Sequence, residues 1–450
     1  MVEIGELPET GSRVRFEVTT WTGSTNVEGV LLAPSSPGHA TVKLINGYNV
    51  THPLEAMSKL EVIGSVKTDS GHSSKVSVDS SLPEVHILHT GGTIASKVDY
   101  ATGAVTARFE PEELLSSVPE LSGLANVKTK KLGNMWSDDI RTRHWNKMAA
   151  AAAESFSEGA VGVVITHGTD TMHISAAALA FAFSGSGGAP PGRIVFTGSQ
   201  RSSDRGSSDG AENLIAAVCW AAQGPAPTGY KDSTVIVMHA SGDDGKMSVL
   251  PGCAARKSHS SRRDAFRGIN QDALGIVEVT QGDCEITLSE EYIATLDPGR
   301  APVDSPLTLN ESTKILQLIA GSQMFADQFK FAESSNYDAV LVWGSGLGHL
   351  PLDDPGDSPE NSKLSEAVSE FIDSGGHVFV ATQCIEGPVH LDVYSKGRSQ
   401  QSMGVVGHGS NFGPDTALVK AIYLLSTQTP ATEMAAKWSE DLVGENPSGL

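Results

Sequence analysis

An apolar run that breaks into a glycine turn occurs twice in this chain and constrains the fold more than any other feature. The first run covers residues 85–89 (VHILH) and continues into the first turn, residues 90–96 (TGGTIAS). The second run covers residues 161–166 (VGVVIT) and continues into the second turn, residues 167–171 (HGTDT). Open parallel sheets bind ligands at the carboxyl ends of their strands, and glycine lets the backbone approach a bound molecule closely. The two turns therefore predict one active site at that edge of a sheet.

From residue 84 onward, strand-like runs alternate with helical stretches. The strand-like runs are residues 162–166, 193–197, 234–239, 339–343 and 377–382, and the helical stretches are residues 141–154, 170–183, 209–222, 363–373 and 416–426. This alternation predicts an α/β fold in which helices cover parallel sheets. A polar, proline-containing segment divides the pattern into two parts. We expect α/β domains at residues 84–285 and 307–430, joined by a connecting segment at residues 286–306.

The chain before residue 84 has a different pattern. Residues 12–18, 27–32 and 40–44 alternate polar and apolar side chains and are separated by turn-forming residues, which predicts a small antiparallel β-barrel over residues 1–67. Residues 68–83 are rich in serine, aspartate and glycine and are interpreted as a linker. At the other end of the chain, residues 431–450 are expected to form a polar, frayed tail.

Composition limits the classes of function. The formal net charge of −21 argues against a protein that binds nucleic acid over most of its surface. The four cysteines are far apart and form no C-x-x-C motif, so we expect reduced, buried thiols in a cytoplasmic protein. No window approaches the roughly 18 apolar residues of a membrane span, and the first residues lack the basic start and apolar core of a signal peptide.

The turns carry candidate catalytic side chains. A threonine is a poor nucleophile at neutral pH, so a catalytic threonine needs a base and a site for the oxyanion. Thr93 lies in the first turn, and Thr169 and Asp170 lie in the second. Asp170 would begin a helix, where the helix dipole favours a negative charge. The alternative is that Thr169 and Asp170 only cap that helix.

Four motifs together resemble the bacterial-type L-asparaginase and glutaminase family. They are residues 90–95 (TGGTIA), 167–171 (HGTDT), 196–200 (FTGSQ) and 209–214 (DGAENL), and the resemblance extends from about residue 84 to residue 426. It implies an asparaginase-like fold of two α/β domains. It also implies hydrolysis of a side-chain carboxamide through a threonine acyl-enzyme, with neither a metal nor an organic cofactor bound by this chain.

The resemblance assigns catalytic roles to four residues. Thr93 matches the primary nucleophile, and Thr169 and Asp170 match the second threonine and its aspartate. Lys257 matches the family lysine, which implies a Thr169–Lys257–Asp170 relay that passes a proton to and from a hydroxyl. From the residues alone, Lys257 is one of several cations in residues 256–263, a pattern that favours a solvated basic surface.

The resemblance also implies substrate-binding residues. Ser137 and Asp138 resemble the residues that hold the α-amino and α-carboxyl groups of the substrate, and Tyr100 corresponds to a tyrosine on a mobile loop. The alternative for Ser137 and Asp138 is a cap ahead of the helix that begins near Arg141. His377, His390 and His408 lack metal-ligand spacing and are interpreted as structural or surface residues, so we expect no metal site.

The N-terminal domain, the linker and the Ser137–Asp138 pair are similar to those of the D-subunit family of archaeal glutamyl-tRNA(Gln) amidotransferases. This similarity implies a protein that hydrolyses glutamine and delivers ammonia to a partner of the E-subunit type. The partner would bind the misacylated tRNA with ATP and Mg²⁺, and the chain would form a homodimer within a heterotetramer. Two alternatives remain: a stand-alone asparaginase with an accessory N-terminal domain, and a non-catalytic scaffold that binds RNA or a partner.

Overall fold

The computed structural model describes most of the chain. The described residues are 7–9, 11–20, 23–32, 38–44, 49–65, 79–92, 94, 97–98, 105–106, 118–201, 208–280, 283–296 and 299–447. Two of the predicted site residues, Thr93 and Tyr100, lie outside them. No helix within these ranges is long and apolar enough to cross a bilayer.

The N-terminal residues form an antiparallel sheet of five strands, in the order β4-β3-β2-β1-β5. The strands are β1 (Ser12–Thr20), β2 (Gly23–Leu32), β3 (His39–Leu44), β4 (Asn49–Pro53) and β5 (Met57–Ser65). Alternate side chains of β1, namely Val14, Phe16 and Val18, are buried, as the period-2 pattern predicts. In the described residues β4 and β5 lie at opposite edges of the sheet, so its closure into a barrel stays a prediction.

The rest of the chain alternates strands and helices. The strands are β6 (Glu84–His89), β7 (Lys97–Val98), β8 (Val105–Thr106), β9 (Asn126–Lys131), β10 (Gly162–Thr166), β11 (Arg193–Thr197), β12 (Val235–His239), β13 (Lys246–Pro251), β14 (Ala255–Lys257), β15 (Phe266–Gly268), β16 (Gly275–Thr280), β17 (Asp283–Leu288), β18 (Ile315–Ile319), β19 (Ala339–Gly344) and β20 (His377–Thr382). The helices are α1 (Thr142–Ser157), α2 (Met172–Ser184), α3 (Gly210–Gln223), α4 (Glu290–Ile293), α5 (Ala326–Ser334), α6 (Pro359–Asp373), α7 (Ser395–Ser402), α8 (Pro414–Ser426) and α9 (Ala431–Ser439). Short 3₁₀ turns cover Leu54–Ala56, Pro119–Gly123 and Ser137–Asp139.

Two main sheets form the α/β part, and the described residues also contain two two-stranded sheets, β7-β8 and β14-β15. The larger has eight strands in the order β17-β16-β13-β12-β11-β10-β6-β9. From β12 to β9 neighbouring strands are parallel, as predicted, whereas β13, β16 and β17 add an antiparallel edge that the sequence did not predict. The smaller sheet contains the parallel strands β18, β19 and β20. The predicted α/β class is therefore confirmed.

Helix α2 joins the two sheets into one core. Its sequence is apolar on all sides, and every residue except Ile174 is buried, as expected for a helix without a solvent face. It packs against α8, and one continuous hydrophobic cluster contains Phe181 of α2, Phe196 of the larger sheet and Phe379 of the smaller sheet. This packing fixes the start of α2, where the second turn ends.

Two cysteines differ from the expectation of reduced thiols. Cys219 of α3 and Cys284 of β17 form a disulfide across a sequence separation of 65 residues. The prediction is wrong for this pair because β17 belongs to the unpredicted antiparallel edge, which brings it against α3. Cys253 remains a buried free thiol, and Cys384 is free and exposed.

The expectation of a frayed C-terminal segment is wrong as far as residue 447. Residues 431–439 form α9, whose Trp438 is fully buried and stacks on Phe379 with ring centroids 4.6 Å apart. Glu445 is also fully buried and accepts a hydrogen bond of 2.6 Å from the buried Lys420. The polar composition of the segment wrongly indicated fraying, because the charge of Glu445 is paired with that of Lys420 inside the core.

Candidate active site

The second turn lies at the carboxyl end of β10, where the sequence predicts it. The side chains of Thr169 and Asp170 differ in exposure, since the threonine is buried and the carboxylate is 70% exposed. Helix α2 takes Thr171 as its N-cap. Thr171 Oγ1 donates to the carbonyl oxygen of Ser137 at 2.6 Å. Thr169 and Asp170 therefore do not occupy the capping position, and their side chains remain available for other contacts.

Lys257 lies beside both side chains. Its Nζ donates to Thr169 Oγ1 at 2.9 Å and to Asp170 Oδ1 at 2.6 Å. The lysine side chain is only 9% exposed, so it does not belong to a solvated basic surface. Neighbouring Arg256 instead contacts Asp415 at 3.3 Å. A hydroxyl, an amine and a carboxylate thus converge from positions that are distant in sequence.

A cavity of about 390 Å³ opens next to this triad. It is lined by Asp170, His173, Ile174, Arg256, Lys257, Ser258, His259, Ser260 and Asp415. Burial alone would raise the pKa of Asp415, but hydrogen bonding and charge from His173 and the charge of Arg256 outweigh it and leave this pKa below its usual range. Asp415 is therefore a fixed negative charge that orients Arg256 and His173 in the wall of the cavity.

The first turn touches the second through glycine. Gly92 has a φ of +91°, and a Cβ at this position would lie 2.6 Å from the backbone nitrogen of Gly168. Gly91 has a φ of +125°, and a Cβ there would lie 2.4 Å from the carbonyl oxygen of Met135. Only residues without a side chain allow this approach. The two turns are thus in direct contact, and Thr93, which follows Gly92 in the sequence, lies outside the described residues.

Ser137 and Asp138 form part of a 3₁₀ turn beside the second turn. Ser137 is buried, and a Cβ on Gly168 would lie 3.0 Å from its Oγ. Asp138 is exposed, and only Ser137 is brought against the second turn. Helix α1 takes Arg141 as its N-cap, so the two residues do not cap that helix.

The imidazole of His167 supports the second turn as a neutral group. Its Nδ1 donates to the carbonyl oxygen of Gly168 at 2.6 Å, and its Nε2 contacts Ser175 Oγ at 2.9 Å. Ser175 Oγ also accepts from Trp145 Nε1 at 3.0 Å, which leaves its own hydrogen for His167. Complete burial lowers the pKa of His167 to about 4. His167 is therefore uncharged at neutral pH and acts as a structural residue.

A third turn, residues 198–201, is held by residues to which the sequence reasoning gave no role. The fully buried Asp209 accepts from Ser199 Oγ at 2.8 Å, from the Gln200 backbone nitrogen at 3.0 Å and from Asn213 Nδ2 at 3.0 Å. Asn213 Nδ2 also donates to the carbonyl oxygen of Gly198 at 3.0 Å. The sequence contained a signal for this turn in the motifs at residues 196–200 and 209–214. Polar residues of the two motifs form hydrogen bonds with each other.

The third turn packs against the second. A Cβ on Gly198 would lie 2.5 Å from the carbonyl oxygen of His167 and 3.1 Å from Thr169 Cγ2. The Asp209 network therefore positions Thr169 indirectly, through the backbone of Gly198.

Comparisons with known proteins agree with this architecture. Residues 84–291 match the family described as Asparaginase, N-terminal, and residues 314–437 match the Glutaminase/Asparaginase C-terminal domain. The thermostable L-asparaginase from Thermococcus kodakarensis superposes with a TM-score of 0.64 at 24% identity, covering 81% of this chain and all of that one. A probable cytoplasmic L-asparaginase from Campylobacter jejuni gives a TM-score of 0.61 at 23% identity, covering 79% and 99%. These structures confirm the asparaginase-like fold.

The similarity to curated relatives includes the N-terminal sheet. A Haloquadratum walsbyi protein named as the D subunit of glutamyl-tRNA(Gln) amidotransferase is 35% identical, covering 97% of this chain and 98% of its own length. The D subunit from Pyrococcus abyssi is also 35% identical, covering 93% and 90%. The chain therefore belongs to the asparaginase/glutaminase family and, within it, to the D-subunit family of archaeal glutamyl-tRNA(Gln) amidotransferases.

Proposed function

We propose that the chain is the glutamine-hydrolysing component of a tRNA-dependent amidotransferase. It releases ammonia from glutamine, and a partner protein uses that ammonia to convert Glu-tRNA(Gln) to Gln-tRNA(Gln). The observation that carries the proposal is the convergence of Lys257 with Thr169 and Asp170, in a chain that resembles the archaeal D subunits over nearly its whole length. The same convergence argues against a non-catalytic scaffold, which would not require it.

The proposed reaction has two stages. Thr93 Oγ attacks the carboxamide carbon of glutamine, the hydroxyl proton is transferred to the leaving nitrogen, and ammonia departs to leave an ester on Thr93. Water then attacks the ester carbon, glutamate is released, and the Thr93 hydroxyl is restored. Lys257, held by Asp170, relays protons through the hydroxyl of Thr169. Ser137 and Asp138 bind the α-amino and α-carboxyl groups, and Tyr100 closes the site.

We further propose a cytoplasmic complex in which two copies of this chain associate with two copies of a partner of the E-subunit type. The partner binds the tRNA, ATP and Mg²⁺, and this chain binds none of these cofactors. The net charge of −21 supports the division, since an acidic surface repels the phosphates of tRNA. Ammonia also has to reach the partner unprotonated, because ammonium is not a nucleophile.

Replacement of the proposed nucleophile tests this function. In the complete complex, Thr93→Ala should abolish amidation with glutamine as the nitrogen donor. Amidation with added ammonium salt should continue at the wild-type rate, because the partner's chemistry does not use Thr93. Equal loss of both activities would refute the division of labour. Efficient asparagine hydrolysis by the isolated chain would instead identify a stand-alone asparaginase.

A further inference from the structure

A second group of ionisable side chains lies outside the proposed catalytic residues, at the carboxyl end of β12. Glu212 is in the first turn of α3, His239 ends β12, and Asp244 follows in the loop before β13. One ligand atom from each of these side chains lies within 4.8 Å of the other two. His239 is buried, Glu212 is half-buried and Asp244 is exposed, so the group has a buried side and a side open to solvent.

The hydrogen bonds of Asn213 determine which nitrogen carries the hydrogen in a neutral His239 ring. Asn213 Nδ2 donates to the carbonyl oxygen of Gly198 and to Asp209 Oδ2, each at 3.0 Å. Both partners are acceptors, so the amide orientation is determined. Asn213 Oδ1 then lies 2.7 Å from His239 Nδ1. Because an amide oxygen can only accept, Nδ1 carries the hydrogen, and the Nε2 of a neutral ring presents its lone pair.

That lone pair is buried without a hydrogen-bond partner among the described residues. His239 Nε2 lies 3.1 Å from Glu212 Oε2, yet the pair does not have the geometry of a hydrogen bond. A neutral His239 ring therefore places two electron-rich atoms close together, which is unfavourable unless a cation lies close to both.

The arrangement has the geometry of two ligands of one metal ion. Zinc binds histidine nitrogen at about 2.0–2.1 Å and carboxylate oxygen at about 2.0–2.2 Å, so adjacent ligand atoms are roughly 3 to 3.5 Å apart. Such atoms point at the ion and not at each other. A metal-binding histidine also donates its other N–H to an oxygen that fixes the ring, as His239 does to Asn213.

We propose that Glu212, His239 and Asp244 bind one divalent transition-metal ion of the zinc class. One imidazole nitrogen and two carboxylates suit Zn²⁺, Co²⁺ or Mn²⁺, whereas Mg²⁺ and Ca²⁺ prefer oxygen ligands alone. The backbone nitrogen of Gly245 donates to Glu212 Oε2 at 3.0 Å and holds that carboxylate in place.

The charges around the group also favour a cation. Two carboxylates face one guanidinium, that of Arg263, which is paired with Asp244. The fully buried Asp209 adds a further negative charge behind His239. Asp244 must turn inward to complete the site, and its side chain is 73% exposed, so solvent and not packing surrounds it.

Binding of a metal would also stabilise the third turn. The ion holds His239, His239 holds Asn213, and Asn213 holds Gly198 against the second turn. The ion is thus a structural support at the same edge of the sheet as the proposed catalytic residues.

Titration with Co²⁺ tests the site, because its visible absorption reports the coordinating atoms. The full-length chain, stripped with EDTA, should bind one Co²⁺. Glu212→Gln and Asp244→Asn should each weaken binding about tenfold or more. Asp243→Asn is the matched control, since it makes the same change one position away in a carboxylate that contacts Ser241, and it should bind like wild type.

A second measurement separates metal binding from misfolding. Zn²⁺ should raise the melting temperature of the wild-type chain and of Asp243→Asn, but not that of Asp244→Asn. Circular dichroism in EDTA should show the same fold for all three. Absence of saturable Co²⁺ binding to the wild type would overturn the proposal. Unchanged binding by both ligand variants would overturn it as well.

Discussion

Lys257 is the residue on which the proposed chemistry most depends, because its amine bridges a hydroxyl and a carboxylate. Lys257→Met should lower glutamine hydrolysis about 10²- to 10⁴-fold, the usual contribution of a group that transfers protons. The remaining Asp170 is mostly exposed and stays hydrated, so the fold should survive. Release of ammonia from glutamine by the complete complex measures the effect.

The matched control for that variant is Lys246→Met. Lys246 pairs with Glu278 on the exposed face of β13, with 60% of its side chain in solvent. Its replacement should leave ammonia release unchanged, as should replacement of other surface lysines. Equal activity of Lys257→Met and Lys246→Met would remove Lys257 from the mechanism.

Single residues were predictable to different degrees. Thr169 and Asp170 follow directly from a strand that ends in a glycine turn. Lys257 followed only from family resemblance, because its neighbours in sequence are also basic and nothing local shows which cation turns inward. His239 gave no signal, since its partners Glu212 and Asp244 are recruited from a helix and a loop.

At the scale of elements, the first and second turns can pack against each other because Gly92 has no side chain. Gly92→Ala would place a methyl group 2.6 Å from Gly168 in a left-handed conformation. The expected loss is about 2–5 kcal/mol, from backbone strain together with overpacking, and glutamine hydrolysis should fall with it. Urea unfolding and the ammonia assay measure the two effects.

Gly159→Ala is the control that separates backbone strain at a positive φ from steric overlap of the added methyl group. Gly159 also has a positive φ, of +104°, but a Cβ there meets nothing within 4 Å. It should lose only the strain of roughly 1–2 kcal/mol and keep its activity. If the two variants were equally stable and equally active, the close packing of the turns would not matter to the site.

Strands and helices were predictable where the spacing of apolar residues along the sequence distinguishes the two types of element. Short apolar runs predicted the parallel strands β6, β10, β11 and β12, and a helix follows β10 and β11 directly. The βα alternation failed at β13, β16 and β17, which follow one another without helices and form a partly exposed antiparallel edge. The Cys219–Cys284 disulfide was missed for the same reason, since the pairing depends on where β17 lies.

At the scale of the whole molecule, the C-terminal segment closes the core that the two sheets share. Glu445 and Lys420 are both fully buried and form an ion pair. Burial favours the neutral acid and raises the pKa of Glu445, which the Lys420 charge opposes. The segment was expected to fray because composition counts charged residues without showing whether they have partners.

This pair provides a test of whether the C-terminal segment is part of the core. Glu445→Gln leaves the Lys420 ammonium buried without its counter-ion, which should cost about 3–5 kcal/mol. Glu440→Gln makes the same change in an exposed carboxylate that pairs with exposed Lys437, and should cost less than about 1 kcal/mol. Urea unfolding of both variants at neutral pH measures the difference. If the two variants unfolded at the same urea concentration, the segment would contribute no more than a surface helix. A clear gap would mean that the last residues complete the core that positions α2 and, through it, the second turn.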